Sequence, residues 1–167
     1  MIKVGILTLS DKGSRGERED KSGQILSEMV REIGGEVLSH QVLPDEKDVI
    51  VEWLVRMVDH QGLDLVLTTG GTGIAARDVT PEATREVIDR ELPGFGEVMR
   101  MKSVAITPRG MLSRMIAGTR GQALIVNLPG SPKAVRECFG WVMGAIPHAI
   151  ALLKGEGGEC GREEPPR

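Results

Sequence analysis

The sequence predicts an α/β fold, a three-layer sandwich with a mostly parallel central sheet flanked by helices. Two observations support this prediction. Apolar stretches alternate along the chain with amphipathic stretches of helical period. The apolar stretches are also nearly continuous in Ile, Val and Leu, as expected for the strands of a parallel sheet that is covered on both faces.

The first strand is predicted at 2–9, where the apolar run I-K-V-G-I-L-T-L ends in polar residues. A polar loop is expected from there to Asp20. Beyond Asp20 the apolar residues recur with helical spacing until two glycines follow, which predicts a helix over 20–33.

The second strand is predicted at 35–43, and Pro44-Asp45-Glu46 separates it from a helix whose single apolar stripe reaches Val58. The third strand is predicted at 64–69, where the buried pattern D-L-V-L-T-T precedes the glycine-rich stretch G-G-T-G.

Thr80 and Pro81 have the pattern of a helix cap followed by proline at the first helical position, which predicts a helix from Thr80 to about Glu91. Further helical stretches are predicted at 92–101 and 111–117.

The last strand is predicted at 122–128 and is closed by Pro129-Gly130. Ser131-Pro132 repeats the cap pattern and leads into an apolar helical region, which we expect to be interrupted at Pro147.

The composition is that of one ordinary globular domain, with 167 residues of which 40% are hydrophobic and 27% charged. Residues 1–154 are expected to form a single domain, and 155–167, rich in Gly, Glu and Pro, a disordered tail. A formal net charge of −3 with only 2% aromatic residues argues against nucleic-acid binding. The N-terminal apolar run is too short for a signal sequence or a membrane span, so we expect a cytoplasmic protein without membrane contact.

The cysteines and histidines show no metal-binding pattern. Cys138 and Cys160 form no C-x-x-C pair, and the three histidines have no ligand spacing. Neither a disulfide framework nor a zinc site is therefore expected.

Polar or glycine-rich loops follow all four predicted strands. These loops are Ser10-Asp11, Pro44-Asp45-Glu46, Gly70 to Asp78, and Pro129-Gly130-Ser131. In a parallel sheet the carboxyl ends of the strands meet at one edge, where ligands bind. The sequence therefore predicts the functional site at that edge.

Gly70-Gly71-Thr72-Gly73 offers successive backbone N–H groups with little side-chain obstruction, which favours a phosphate or other anion as ligand. A tight turn between strand and helix is the simpler interpretation. The segment from Gly71 to Ala76 also fits the dinucleotide pattern G-x-G-x-x-A, with Glu91 about 20 residues further on. That match is weak, because Arg77 to Pro81 separates the glycines from the next helix. The chain contains no P-loop motif.

Asp45 and Asp78 lie in two of these loops, and two convergent carboxylates suit a Mg²⁺ ion that also bridges phosphate oxygens. The alternatives are that Asp45 caps the following helix and that Asp78 is a turn residue.

Read together, the loops resemble the MogA/MoaB family of molybdenum cofactor biosynthesis proteins, and most closely its molybdopterin adenylyltransferases. The matching stretches are S-D at Ser10, L-P-D-E at Leu43, T-T-G-G-T-G at Thr68, R-D-V-T-P-E-A-T at Arg77, L-P-G-F-G-E at Leu92, L-S-R at Leu112 and N-L-P-G-S-P at Asn127. They occur in order over residues 1 to about 154, and T-T-G-G-T-G followed by R-D-V-T-P is the most specific of them.

The resemblance implies an enzyme that condenses ATP with the terminal phosphate of molybdopterin, giving adenylyl-molybdopterin and pyrophosphate with the help of Mg²⁺. It also implies a homotrimer and a transient contact with the enzyme that inserts molybdate. A paralogue of the MoaB type, which binds molybdopterin or its precursor without efficient adenylation, is the alternative.

The resemblance also assigns roles to residues. Asp45 and Asp78 match the two carboxylates tied to adenylation and to the metal, and Ser113 matches a serine associated with molybdopterin. The remaining residues expected to contact substrate are Ser10, Asp11, Gly70, Gly71, Thr72, Gly73, Glu97, Pro129, Gly130 and Ser131. Ser131 is also explained as a helix cap.

Overall fold

The computed structural model describes residues 1–156 and contains a six-stranded sheet of order β2-β1-β3-β6-β5-β4. Its strands are β1 (Ile2–Leu9), β2 (Gly35–Leu43), β3 (Leu65–Thr69), β4 (Arg90–Glu91), β5 (Ala117–Arg120) and β6 (Ala123–Leu128). Strands β2, β1, β3 and β6 are parallel, and β5 and β4 extend the sheet by antiparallel pairing. The chain reverses its direction of growth between β1 and β3, which makes the carboxyl ends of these strands a switch point.

The helices are α1 (Asp11–Ser14), α2 (Lys21–Met29), α3 (Lys47–Val55), α4 (Thr80–Val87), α5 (Pro93–Ile106), α6 (Pro132–Val142) and α7 (Ile146–Leu153). Short 3-10 segments at Val30–Ile33, Pro108–Leu112 and Met143–Ala145, and a π-helical turn at Arg56–His60, extend or join them. Among the helices of residues 1–156, none is long and apolar enough to span a membrane.

The sheet separates two hydrophobic cores. On one face α2, α5, α6 and α7 pack against the sheet around Leu26, Met99 and Phe139. On the other face α3 and α4 pack around Leu54 and Val87. The predicted three-layer sandwich with a mostly parallel sheet is therefore confirmed.

The start of the fourth helix differs from the sequence prediction. Val79 holds the cap position, and the Thr80 hydroxyl instead donates to the Gly70 carbonyl oxygen at 2.9 Å. The helix also ends at Val87 rather than near Glu91, because Arg90–Glu91 leaves to pair with β5. The threonine thus closes the glycine loop rather than capping its own helix.

The prediction of a helix at 111–117 was wrong. Its first residues close the 3-10 segment Pro108–Leu112, and Ala117 begins β5, which pairs with β6 across a turn where Gly121 has a φ of +54°. A strand of sequence A-G-T-R has no apolar run, so its pairing is fixed by the neighbouring strand and not by its own pattern.

The polar loop after β1 contains the short helix α1, capped by the Ser10 hydroxyl. Of the predicted tail at 155–167, only Gly155 and Glu156 are described, and their N–H groups donate to the last turn of α7. The prediction for 157–167 lies outside the described residues.

Candidate active site

A cleft of about 840 Å³ opens at the carboxyl ends of the parallel strands, where the sequence analysis placed the site. Most of the predicted site residues line it: Ser10, Asp11, Asp45, Gly70, Gly71, Asp78, Gly130 and Ser131. Its size is within the usual range for small-molecule sites.

Asp11 and Asp45 hold each other by a reciprocal pair of hydrogen bonds. The Asp11 N–H donates to Asp45 Oδ2 and the Asp45 N–H to Asp11 Oδ1, both at 3.0 Å. The Arg77 guanidinium donates to both oxygens of Asp11, at 2.9 and 2.7 Å. The loops after β1, β2 and β3 are thereby joined at the mouth of the cleft.

This network shifts the two carboxylates in opposite directions. Hydrogen bonds from the Arg77 side chain and then from the Asp45 N–H lower the pKa of Asp11 to about 2. Burial raises the pKa of Asp45, and the nearby negative charges of Asp11 and Asp78 raise it further, although the Asp11 N–H opposes this. A bound cation would therefore stabilise the charged form of Asp45 more than that of Asp11, which already pairs with Arg77.

The glycine loop passes directly against both candidate metal ligands. Gly71 has a φ of +66°, and a Cβ there would clash with the Thr80 hydroxyl and lie 3.2 Å from Asp45 Oδ1. A Cβ at Gly73 would lie 2.8 Å from Asp78 Oδ2. Side chains at these two positions would fill the space beside the carboxylates, which explains why the loop is built from glycine.

Gly70 lines the cleft, but its N–H is not available as one of the predicted backbone donors. Its N–H donates to the Leu128 carbonyl oxygen at 3.1 Å, which continues the ladder between β3 and β6, so it is not free to bind a phosphate. Gly71 is the loop residue that both lines the cleft and leaves its N–H as a candidate donor.

Asp45 and Asp78 suit a Mg²⁺ ion by their chemistry and by their free oxygens. Asp45 does not cap α3, since Glu46 holds that position, whereas Asp78 Oδ2 accepts from the Ala75 N–H at 2.9 Å and closes a turn. The hydrogen bonds within residues 1–156 occupy one oxygen of each carboxylate and leave the Oδ1 atoms available. No three His, Cys, Asp or Glu side chains of the described chain are grouped for a metal. Mg²⁺ commonly takes one or two carboxylates plus substrate phosphates, which this arrangement fits.

The positive ends of two helices also face the cleft. Asp20, Lys21 and Ser22 at the start of α2 line it, as do Ser131 and Pro132 at the start of α6. The Ser22 hydroxyl donates to the Gly130 carbonyl oxygen at 2.8 Å and links the two ends. Helix N-termini attract anions, so the cleft combines carboxylates for a cation with partial positive charge for a phosphate.

Asp20 also lines the cleft and was not among the predicted residues. Its carboxylate accepts from the Thr8 hydroxyl at 2.7 Å and from the Gly23 N–H at 2.8 Å, and pairs with His40 Nε2 at 2.7 Å. Burial raises the pKa of Asp20, but these hydrogen bonds outweigh it, and the net direction is downward. The D-x-S-G stretch at the helix start was the available signal, but it indicated only a helix cap.

Cationic residues also line the cleft. Lys12, Arg18 and Lys21 all contribute to its wall, close to the N-terminus of α2. Arg18 and Lys21 were not predicted, because charged residues in a polar loop look the same in sequence whether they face solvent or a ligand.

Five predicted residues lie outside this cleft: Thr72, Gly73, Glu97, Ser113 and Pro129. Ser113 and Pro129 line a second, smaller cavity of about 200 Å³, together with Ser103 and Cys138. The Ser113 hydroxyl oxygen is buried and has no hydrogen-bond partner within the described chain. Glu97 is an exposed residue of α5 that lines neither cavity, and its assignment to the site stays a prediction.

The dinucleotide interpretation fails on local geometry. That motif needs a helix that starts at the glycines, whereas α4 begins at Thr80, well beyond Gly73. Glu91, the acidic residue of that pattern, lies in the edge strand β4.

Comparisons with known proteins cover nearly the whole described chain. A family model described as "Probable molybdopterin binding domain" matches residues 5–148. The chain is 46% identical over 156 residues to a molybdopterin adenylyltransferase of Helicobacter pylori strain J99, covering 92% of this chain and 89% of that protein. It is 41% identical over 168 residues to the molybdopterin adenylyltransferase of Escherichia coli K12, with 92% and 86% covered.

A solved structure agrees with these matches. The crystal structure of the molybdopterin biosynthesis enzyme MoaB from Thermus thermophilus aligns with a TM-score of 0.88 at 50% identity, covering 93% of this chain and 98% of that one. The family match includes every loop that forms the cleft.

Proposed function

The chain belongs to the molybdopterin binding domain family, and from that premise we propose that it is a molybdopterin adenylyltransferase of molybdenum cofactor biosynthesis. It joins ATP to the terminal phosphate of molybdopterin and releases pyrophosphate. The observation that carries the proposal is the cleft, where Asp45 and Asp78 each offer a carboxylate oxygen beside a glycine loop and two helix N-termini.

The reaction is an adenylyl transfer, in which the AMP part of ATP moves to molybdopterin. A phosphate oxygen of molybdopterin attacks the α-phosphorus of ATP, and the bond from that phosphorus to the bridging oxygen breaks, so that pyrophosphate leaves. Both reactants are anions, and catalysis therefore depends on positioning and on charge stabilisation more than on a covalent nucleophile.

Within this proposal Asp45 and Asp78 hold Mg²⁺ together with the triphosphate. The ion, when bound, neutralises charge on the phosphate oxygens. Gly71 donates its N–H to phosphate, and the N-termini of α2 and α6 add their partial positive charge. Asp11 keeps Asp45 in place through their paired hydrogen bonds. Ser10, Gly130 and Ser131 contact substrate from the wall of the cleft.

Ser113 is proposed to bind molybdopterin from the smaller cavity. Its buried hydroxyl has no partner within the described chain, and a ligand atom would supply one. Thr72, Gly73, Glu97 and Pro129 keep the substrate-binding roles that the family resemblance gives them.

We also propose that the protein forms a homotrimer, and that it passes its product to a molybdate-inserting enzyme. Apolar side chains that a partner copy would cover are exposed on α5 and the following 3-10 segment: Met101, Val104, Ile106, Met111 and Leu112. We propose a cytoplasmic location as well, because the reaction consumes ATP. Sedimentation equilibrium, by giving the mass of one, two or three chains, tests the trimer.

A MoaB-type role, with molybdopterin or precursor binding but little adenylation, is the second candidate. It is favoured by the 50% identity to the Thermus thermophilus enzyme described as MoaB. Both candidates share the fold and the binding surfaces, so only the chemical step separates them.

The test is to incubate the protein with molybdopterin, Mg²⁺ and ATP and to measure adenylyl-molybdopterin by mass spectrometry and pyrophosphate by a coupled assay. The Escherichia coli relative serves as the positive control. We expect both products in a one-to-one ratio. Molybdopterin binding without product, where the control is active, would reject the proposal in favour of the second candidate.

A further inference from the structure

Arg114 is the residue that most extensively fixes the loop carrying Asp78. Its Nε donates to the Gly73 carbonyl oxygen and one Nη to the Asp78 carbonyl oxygen, both at 2.7 Å. The other Nη pairs with the Glu82 carboxylate on α4. One guanidinium group thus spans the loop from Gly73, beside the Asp78 carboxylate, to the first turn of the next helix.

The main chain of Arg114 adds a separate attachment. Its N–H donates to the Thr72 carbonyl oxygen at 2.8 Å. This bond does not depend on the side chain, so a substitution at Arg114 leaves the backbone, and the adjacent Ser113, anchored to the loop. The contribution of the guanidinium can therefore be tested by itself.

Arg114 does not line the cleft or the smaller cavity, and its side chain is 35% exposed. It therefore lies behind the loop rather than among the groups that face a ligand. The Asp78 carboxylate lies on the cleft side, held only by the Ala75 N–H of the same loop within the described chain. Within that turn, the Arg77 side chain reaches Asp45 only indirectly, through Asp11. The position of the Asp78 carboxylate therefore depends largely on what else holds the loop.

We propose that Arg114 is a positioning residue that sets the geometry of Asp78 in the cleft. This inference rests on the proposed function for its kinetic consequence, but its structural part stands without it. The guanidinium is suited to the task because its planar fork reaches three acceptors at fixed angles, whereas a lysine ammonium could satisfy them only as a single point charge.

The test compares Arg114→Met and Arg114→Lys with a matched control, Arg120→Met. Arg120 on β5 also pairs with one carboxylate, that of Asp59, and with one main-chain carbonyl, that of Val87, but it lies away from the cleft. The measurements are thermal unfolding, hydrogen exchange of the amides of 72–79, and kcat and KM for Mg·ATP and for molybdopterin.

For Arg114→Met we expect hydrogen exchange of the Ala75 amide to become roughly tenfold faster or more. The hydrogen bonds from the Arg114 guanidinium would no longer oppose local opening of the loop. We expect kcat to fall by roughly 100-fold, the scale on which a small displacement of a catalytic group lowers rates, with the KM for molybdopterin unchanged. For Arg114→Lys we expect amide exchange and kcat between the values for Arg114→Met and wild type. Arg120→Met should lower the unfolding temperature without changing loop exchange or kcat.

Two results would overturn the inference. One is a loop that loosens while kcat stays at the wild-type value. The other is a loss of kcat with loop exchange unchanged, which would mean that Arg114 contacts substrate directly. If Arg114→Met does not fold, Arg114→Lys decides between the same outcomes. An inactive wild type would reject the proposed function alone, because the exchange measurement still reports on the loop.

Discussion

Asp45 and Asp78 are similar in chemistry but differ in how they are held. Asp45 is tied to Asp11 by hydrogen bonds in both directions, and through Asp11 to Arg77. Asp78 is held within its own loop, by the Ala75 N–H. A substitution at Asp78 should therefore disturb fewer contacts than one at Asp45 and report more directly on the chemical step.

Asp78→Asn should keep the fold, because the amide oxygen can still accept from the Ala75 N–H. We expect kcat for adenylyl transfer to fall by about 100-fold or more, as when one preorganised electrostatic group is lost. Product formation, with circular dichroism to verify the fold, checks this. Turnover near the wild-type rate would leave Asp78 only its role in the turn.

Ser113→Ala should weaken ligand binding without lowering the stability of the fold. The hydroxyl is buried without a partner in the described chain, so its removal should leave the free energy of unfolding unchanged or slightly raise it. Binding of molybdopterin should weaken by about tenfold, the equivalent of one hydrogen bond, while ATP binding stays the same.

Titration of each ligand separately, together with urea unfolding, checks the Ser113 prediction. Equal losses of affinity for ATP and molybdopterin would contradict the assignment. So would a large loss of stability, since it would show that the hydroxyl has a partner inside the protein.

At the residue scale, the sequence was informative where a residue type is needed for a local reason. Asp45, Asp78 and the glycines could be found because they lie in loops that follow strands, and the ends of parallel strands converge. Asp20 could not be found, because its partners Thr8 and His40 are brought to it only when β1 and β2 pair.

At the element scale, the glycine loop depends on its backbone conformation. Gly70 has a φ of +99°, and a Cβ there would lie 2.4 Å from the Leu9 carbonyl oxygen, a main-chain atom that cannot move aside without disturbing β1. Gly94 in the first turn of α5 has no atom within 4 Å of such a Cβ. The two positions form a matched pair for the same substitution.

Gly70→Ala should lower the free energy of unfolding by about 1–3 kcal/mol or more, because the strained backbone and the steric clash add. Gly94→Ala should be neutral or stabilising by about 0.4–1 kcal/mol through the unfolded chain. Chemical denaturation of both variants checks this. A Gly70 variant as stable as the Gly94 variant would show that the loop adopts another conformation.

The elements themselves were predictable in proportion to their hydrophobic pattern. Strands β1, β3 and β6 are nearly continuous apolar runs, whereas β2 is more polar but is bounded by Gly34 and Pro44. Each of the four was predicted within one residue of its bounds. The antiparallel strands β4 and β5 were missed because two and four residues of mixed polarity have no periodicity of their own. Their conformation comes from tertiary pairing, which overrides local preference.

At the scale of the whole molecule, the edge of the sheet opposite the cleft is closed by one buried carboxylate. Asp64, at the start of β3, accepts from the Lys3 N–H of β1 and pairs with Lys154 at the end of α7, both at 2.8 Å. This joins the beginning, the middle and the end of the described chain. The charged groups of this cluster are far apart in sequence, so the cluster could not be predicted before the strand order was known.

Asp64 also makes stability depend on pH. Burial raises its pKa, but the Lys154 ion pair and the Lys3 N–H outweigh burial, so the folded-state pKa lies below the ordinary value of 3.8. A carboxyl group with a depressed pKa stabilises the fold above the unfolded-state value, and that stabilisation is lost as pH falls through the folded-state value.

Asp64→Asn should therefore be less stable than wild type by about 1–3 kcal/mol near neutral pH, and the difference should shrink as the pH falls below 3.8. Urea unfolding across the acid range checks this, with Glu36→Gln, at an exposed residue of β2, as the control for lost charge. The Glu36 variant should follow the wild-type curve. Because Asp64 is remote from the cleft, adenylyl transfer by folded Asp64→Asn should remain at the wild-type rate. A stability difference that stays constant throughout the acid range would show that Asp64 stabilises the fold by packing rather than by its charge.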